Sequence, residues 1–228
     1  MRNISSERIR EYHSTIGIRN QYYLHYRKLQ NDIIDYIGRY FKGGKVLDLG
    51  AGNQPYRKLF NKAQQYVSVD IDISNKALDV IADNTILPFR GECFDLILCT
   101  QVIEHVNEPL KLFKEASRIM KSDAHLILTC PMSWELHEKP YDYFRYTIYG
   151  IQYLAKEAGF EVLESTEQGG AFAVAGQTII NNKKIPLKKI IIPIVNILFS
   201  YLDDKYYDPD NTINYIFALK KLHGASGV

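Results

Sequence analysis

The chain has 228 residues and a formal net charge of +2, set by 28 basic and 26 acidic side chains that are well mixed along it. That mixture excludes the concentrated basic face with which a protein holds nucleic-acid phosphates, so no nucleic-acid partner is expected. With 46% hydrophobic and 12% aromatic residues, there is material for the core of one large domain, or of a domain with an appendage.

The N-terminus, MRNISSERIREYHS, lacks the apolar centre of a secretory signal, and a cytoplasmic location is expected. Over residues 1–42, Ile9, Tyr12, Ile16, Tyr23, Tyr26, Leu29, Ile33, Ile34 and Ile37 recur at roughly helical intervals. They predict one or two helices, an N-terminal helical cap that ends at Gly43-Gly44.

From Lys45 the runs KVLDLG, YVSVDI, LDVIAD, FDLILCT, HLILTC, FEVLEST and INYIFALK alternate with amphipathic stretches. Strands separated by helices predict an α/β fold, a largely parallel sheet with helices on both faces, over residues 43–222. One helix begins at Pro109, which suits a first helical turn, and another runs from an N-cap at Thr147 to a stop at Gly159. Cys93, Cys99 and Cys130 show no metal-ligand spacing and read as free thiols.

Residues 170–210 form a hydrophobic helical insertion before the last strand, and 223–228 a flexible tail. Within the insertion, the apolar run from Ile190 to Leu202 is broken by Pro193 and Asn196 and is too short to span a bilayer. Preceded by Lys183, Lys184, Lys188 and Lys189, the segment 185–202 suits an anionic membrane surface. Packing over the domain, or across a homodimer seam, is the commoner use of such a run.

The first strand ends in Asp48-Leu49-Gly50-Ala51-Gly52-Asn53-Gln54-Pro55. A dinucleotide fold requires G-x-G-x-x-G, and Pro55 stands at the third glycine. Gly50 and Gly52 still let backbone pass close to a ligand, while Asp48 disfavours a pyrophosphate and suits a ligand with cationic character. Asp70, at the tip of the second strand, can accept from both hydroxyls of a ribose. Asp83 can accept from an adenine amine, with Asn84 beside the ring. Gln101, at the tip of the fourth strand, falls on the same edge, followed by Glu104-His105.

The series VLDLGAG, VDI, IADNTILPF, FDLILCTQVIEHV and LILTCP resembles the class I S-adenosylmethionine-dependent methyltransferases, in their type 11-like group. The resemblance implies a Rossmann-like, doubly wound seven-stranded sheet whose last strand is antiparallel. It also implies S-adenosylmethionine as cofactor, held by Asp48, Gly50, Gly52, Asp70, Ile71, Asp83, Asn84 and Gln101. The sulfonium is an activated methyl donor, so no protein nucleophile and no metal are expected.

The segment from Pro131 to Thr147, PMSWELHEKPYDYFRYT, is the densest polar and aromatic stretch and follows a strand tip, as a lid or substrate loop would. Its HEKPYDYFRYT resembles a segment that sits over the active site in methyltransferases of this kind. A hydroxyl acceptor must lose a proton, which makes His137 the first and His105 the second candidate base. Trp134, Tyr143 and Arg145 are the expected acceptor contacts, although an Asp142–Arg145 ion pair would serve the loop equally well. The expected reaction is O-methylation of a small-molecule or saccharide hydroxyl. Lipid, quinone-type or protein acceptors, a non-catalytic cofactor-binding module and a nicotinamide-dependent oxidoreductase are the alternatives.

Overall fold

The computed structural model describes residues 16–222. The positions Ile9 and Tyr12 of the expected cap and the expected tail at 223–228 lie outside the described residues. Helix α1 (Tyr23–Tyr40) ends ahead of the Gly43-Gly44 pair. Its Leu29 and Ile33 are fully buried, and Tyr26, Tyr36 and Ile37 nearly so. At roughly 1.5–3 kcal/mol for each buried large apolar side chain, that stripe outweighs the marginal stability of an isolated helix of this length.

Seven strands follow: β1 (Lys45–Leu49), β2 (Gln65–Asp70), β3 (Val80–Ile81), β4 (Phe94–Thr100), β5 (Met120–Pro131), β6 (Phe160–Gln168) and β7 (Asn214–Lys221). They make one sheet in the order β3-β2-β1-β4-β5-β7-β6. Strands β1 to β5 pair in parallel, and β7 runs antiparallel to both β5 and β6. This is the expected mostly parallel sheet with an antiparallel last strand.

Alternation along the strands divides the core in two. Leu47, Leu49, Val69, Ile97 and Leu128 face helices α2 (Pro109–Ile119) and α3 (Ile148–Glu157). Val46, Leu96, Leu98, Ile127 and Ile216 face α1. Pro109 does open α2, and the Thr147 hydroxyl caps α3 by accepting from the Gly150 N–H at 3.2 Å.

Two connections differ from expectation. The third strand shrinks from LDVIAD to two residues, because Asp79 folds back on β2 and its carboxylate accepts from the Ser68 N–H and hydroxyl at 2.9 and 2.7 Å. After β1, only a single 3-10 turn, Arg57–Phe60, follows the glycines. The face that a longer helix there would cover is covered by α1.

The insertion folds as α4 (Ala171–Asn181) and α5 (Lys188–Lys205), which pack on each other and on α1 through Leu24, Ile180, Ile192 and Val195. Asn196, which interrupts the apolar run, is fully buried and donates to the carbonyls of Ile18 and Asn20 at 2.7 and 2.9 Å. Among the described residues, no helix is long and apolar enough to cross a membrane.

Candidate active site

The strand order reverses between β1 and β4, and a doubly wound sheet opens a crevice at such a point, outside the strands' C-terminal ends. Gly50 sits there at φ +72°, and a Cβ on it would lie 2.4 Å from Val102 Cγ2 just past β4. The turn is tied to β2, since the N–H groups of Gly50 and Ala51 both donate to the Val69 carbonyl. Asp70, only 2% exposed, accepts from the Gly52 N–H at 2.9 Å and the Asp72 N–H at 3.1 Å. Asn75 closes the other side by donating to the Gly52 carbonyl at 2.7 Å. Ile71, the next residue, is half exposed at the rim.

Asp48 lies below this turn rather than in it. Its side chain is buried on the α1 side of the sheet and accepts a short hydrogen bond from the Tyr66 hydroxyl, whose own titration is pushed far up by burial and by Asp48. Asp83 holds a local turn, accepting from the N–H and hydroxyl of Thr85 at 2.8 and 2.7 Å. Beside it, Asn84 Oδ1 is buried with no hydrogen-bond partner among the described residues. Gln101 adopts φ +54° at the end of β4, where its N–H meets the Thr129 carbonyl at 3.0 Å and its Nε2 meets Thr129 Oγ1 at 3.2 Å.

The histidines meet over the tips of β4 and β5. The Glu104 carbonyl accepts from the N–H groups of Tyr143 and Phe144, which pins the loop of His137 onto the turn of His105. The two imidazoles stand edge to face with centroids 4.6 Å apart. His105 Nδ1 lies 2.7 Å from the Tyr141 carbonyl; a carbonyl can only accept, so Nδ1 carries the hydrogen. His137 Nδ1 is 3.1 Å from the Glu135 carbonyl and 3.3 Å from Asp142 Oδ2.

Electrostatics separate these groups. Burial pushes the Glu104 carboxyl up to about 8, against weaker opposition from its own N–H and from Arg145. Burial also pushes His105 down, so it favours the neutral form. For Asp142 burial acts upward, but hydrogen bonds from Arg145 and from the His137 N–H outweigh it and hold the carboxyl at about 2.

Arg145 grips Asp142 with both arms at 2.6 and 2.8 Å and donates to the Trp134 and Glu135 carbonyls. Its fork therefore organises the loop. Trp134 stacks on His25 of α1 at 4.0 Å and lines a cleft of about 400 Å³ with Ser133, Val174, Gln177 and Thr178. Tyr143 is 44% exposed at the rim of the loop. Gln177, on α4, was not among the residues expected at the site. It shows in the sequence only as a polar break in AFAVAGQTII, and its Oε1 is buried without a hydrogen-bond partner among the described residues.

The methyltransferase domain family matches residues 23–165. An uncharacterized protein of Methanocaldococcus jannaschii, MJ1123, is 29% identical over 104 residues, which are 42% of this chain and 48% of that one. The match thus spans about half of that relative. Of solved structures, an S-adenosylmethionine-dependent methyltransferase from Archaeoglobus fulgidus superposes with a TM-score of 0.60 at 15% identity, covering 86% of this chain and 94% of the other. Phosphoethanolamine N-methyltransferase 2 of Haemonchus contortus, bound to S-adenosyl-L-methionine, gives 0.56 at 15% identity over 91% of this chain and 60% of its own. At such identities the structures speak for the fold.

Proposed function

We infer, since this chain belongs to the methyltransferase domain family and is a class I S-adenosylmethionine-dependent methyltransferase, that it transfers the methyl group to a hydroxyl of a small-molecule or saccharide acceptor. When bound, the cofactor supplies a sulfonium-activated methyl, so the chain's task is to align an acceptor and exclude water. The observation that carries the cofactor assignment is the crevice between β1 and β4, where a glycine turn meets Asp70 and Val102, the neighbour of Gln101. Asn84 Oδ1, without a hydrogen-bond partner among the described residues, can accept from an adenine amine, and Gly50 and Gly52 leave room for the methionyl part. His137 and His105 stand over the adjoining strand tips, where they handle the acceptor's proton. Trp134, Tyr143 and Gln177 border the space left for the acceptor.

Titration calorimetry with S-adenosylhomocysteine is expected to show saturable binding, about one ligand per chain, with a micromolar dissociation constant. No heat at high micromolar ligand would remove the cofactor assignment. Mass spectrometry of extracts supplied with labelled cofactor then identifies the acceptor.

A second reading of the acceptor rests on α5. Its Ile192, Val195 and Asn196 face the protein, yet Ile190, Ile194, Ile197, Leu198 and Tyr201 form a second stripe that is half exposed or more. Four lysines, 183, 184, 188 and 189, stand at its start. An apolar stripe beside cations matches an anionic lipid surface, and it favours an acceptor carried on a lipid or quinone-type tail. The expected result is co-sedimentation with phosphatidylglycerol vesicles but not with phosphatidylcholine vesicles, lost in an Ile194→Glu/Ile197→Glu double variant. Sedimentation of a dimer that the double variant dissociates, without vesicle binding, assigns the stripe to a homodimer seam instead.

A further inference from the structure

We propose that Glu104, His105 and His137 form a binding site for a divalent transition-metal ion. One carboxylate oxygen and one nitrogen from each imidazole lie within 4.8 Å of one another. Ligands about 2.1 Å from a tetrahedral ion stand about 3.4 Å apart, so side-chain rotations that move the ligand atoms by roughly 1 Å bring all three onto it. His105 Nε2 and Glu104 Oε1, at 3.8 Å, are already near that spacing.

Two further observations point to an ion. Glu104 is fully buried, and neither of its carboxylate oxygens accepts a hydrogen bond from another of the described residues. A buried carboxylate in that condition is costly as an anion and must either hold a proton or be completed by a cation. The cation that acts on it is Arg145, whose donors are directed to Asp142 and to the loop carbonyls. Secondly, each histidine is oriented through Nδ1 by oxygen acceptors: His105 by the Tyr141 carbonyl, His137 by the Glu135 carbonyl and Asp142. That arrangement leaves His105 Nε2 with its lone pair, the His137 tautomer that donates to Glu135 does the same there, and the contacts fix both rings, as outer hydrogen bonds do for metal-ligating histidines. Arg145 Nη2 also touches His137 Nδ1 at 3.4 Å, at the longer end of these contacts.

Two imidazoles and one carboxylate select Zn²⁺, Mn²⁺, Fe²⁺ or Co²⁺ over Mg²⁺ and Ca²⁺, which prefer oxygen sets. Three protein ligands leave coordination positions open. The site stands on its own geometry; its use, binding and acidifying the acceptor hydroxyl, rests on the methyl-transfer reading. In that use His137 and His105 act on the proton through the ion.

The full chain, stripped with chelator, is titrated with Co²⁺ and followed by visible absorption, and with Zn²⁺, Mn²⁺ and Mg²⁺ by calorimetry. Saturable binding of about one Co²⁺ per chain is expected, weakened at least about 100-fold by Glu104→Gln and, separately, by His137→Asn. Thermal melting of each variant verifies that it folds. Absence of a saturable Co²⁺ spectrum, or unchanged affinity in both folded variants, overturns the site. Methyl transfer that is lost with chelator and restored by Zn²⁺ or Mn²⁺ supports the role, and transfer indifferent to chelator overturns the role alone. Failure of S-adenosylhomocysteine to bind overturns the methyl-transfer reading and leaves the Co²⁺ result standing.

Discussion

An Asp203→Ala variant is expected to lose roughly 3–5 kcal/mol of folding stability. Helix α4 begins at Gly170, which has no side chain to cap it. The cap comes from α5 instead: Asp203 Oδ1 accepts from the N–H groups of Gly170 and Ala173 at 2.8 and 3.0 Å. Its other oxygen accepts from Arg27 Nη2 of α1 at 3.2 Å, with Lys28 Nζ at 3.7 Å.

The Asp203 side chain is completely buried. Truncation therefore strands two buried N–H groups and removes one of the two carboxylates that hold Arg27, at about 1–3 kcal/mol for each unmet buried group. The apolar cluster joining the three helices has only four fully packed members, so it offers little to offset this. Asp203→Asn keeps an acceptor for the cap and should lose about half as much. Urea unfolding at constant slope measures both, and an alanine variant within about 1 kcal/mol of wild type contradicts the account.

Gly50→Ala is expected to reduce methyl transfer about 100-fold while destabilising the fold by roughly 2–4 kcal/mol. Two causes act together. Residue 50 sits at φ +72°, which costs an L-residue about 1–2 kcal/mol, and the new Cβ would overlap Val102 Cγ2 at 2.4 Å. Val102 cannot yield, being β-branched and 6% exposed. The turn must move away from β4, taking with it the Gly50 and Ala51 hydrogen bonds to Val69. Calorimetry with S-adenosylhomocysteine and a melting curve separate the effects. Unchanged ligand affinity in the folded variant would show that the turn does not contact the cofactor.

Much of this molecule can be read locally. The apolar runs predicted the strands, because burial on both faces of a parallel sheet demands them. Pro109, Thr147 and Gly159 marked helix ends by chemistry that acts within one turn. The glycine turn was legible for a similar reason: backbone that passes a ligand closely at positive φ excludes most side chains.

The exceptions depend on partners far along the chain. Asp79 shortens β3 because it reaches Ser68, eleven residues earlier, and Arg145 is occupied because Asp142 and two carbonyls converge on it. Asp203 looks like a solvated helix end in the sequence, since its partners lie 30 and 33 residues before it and on α1. Glu104 and His105 stood out as a pair, but nothing in their spacing foretold a carboxylate sealed against His137. By itself, the sequence determined the strands, the helix ends and the glycine turn, each governed by rules that reach a few residues. Tertiary structure alone decided which face α1 covers, which acids lose water and which side chains meet, because burial and hydrogen-bond partnership belong to the packed chain.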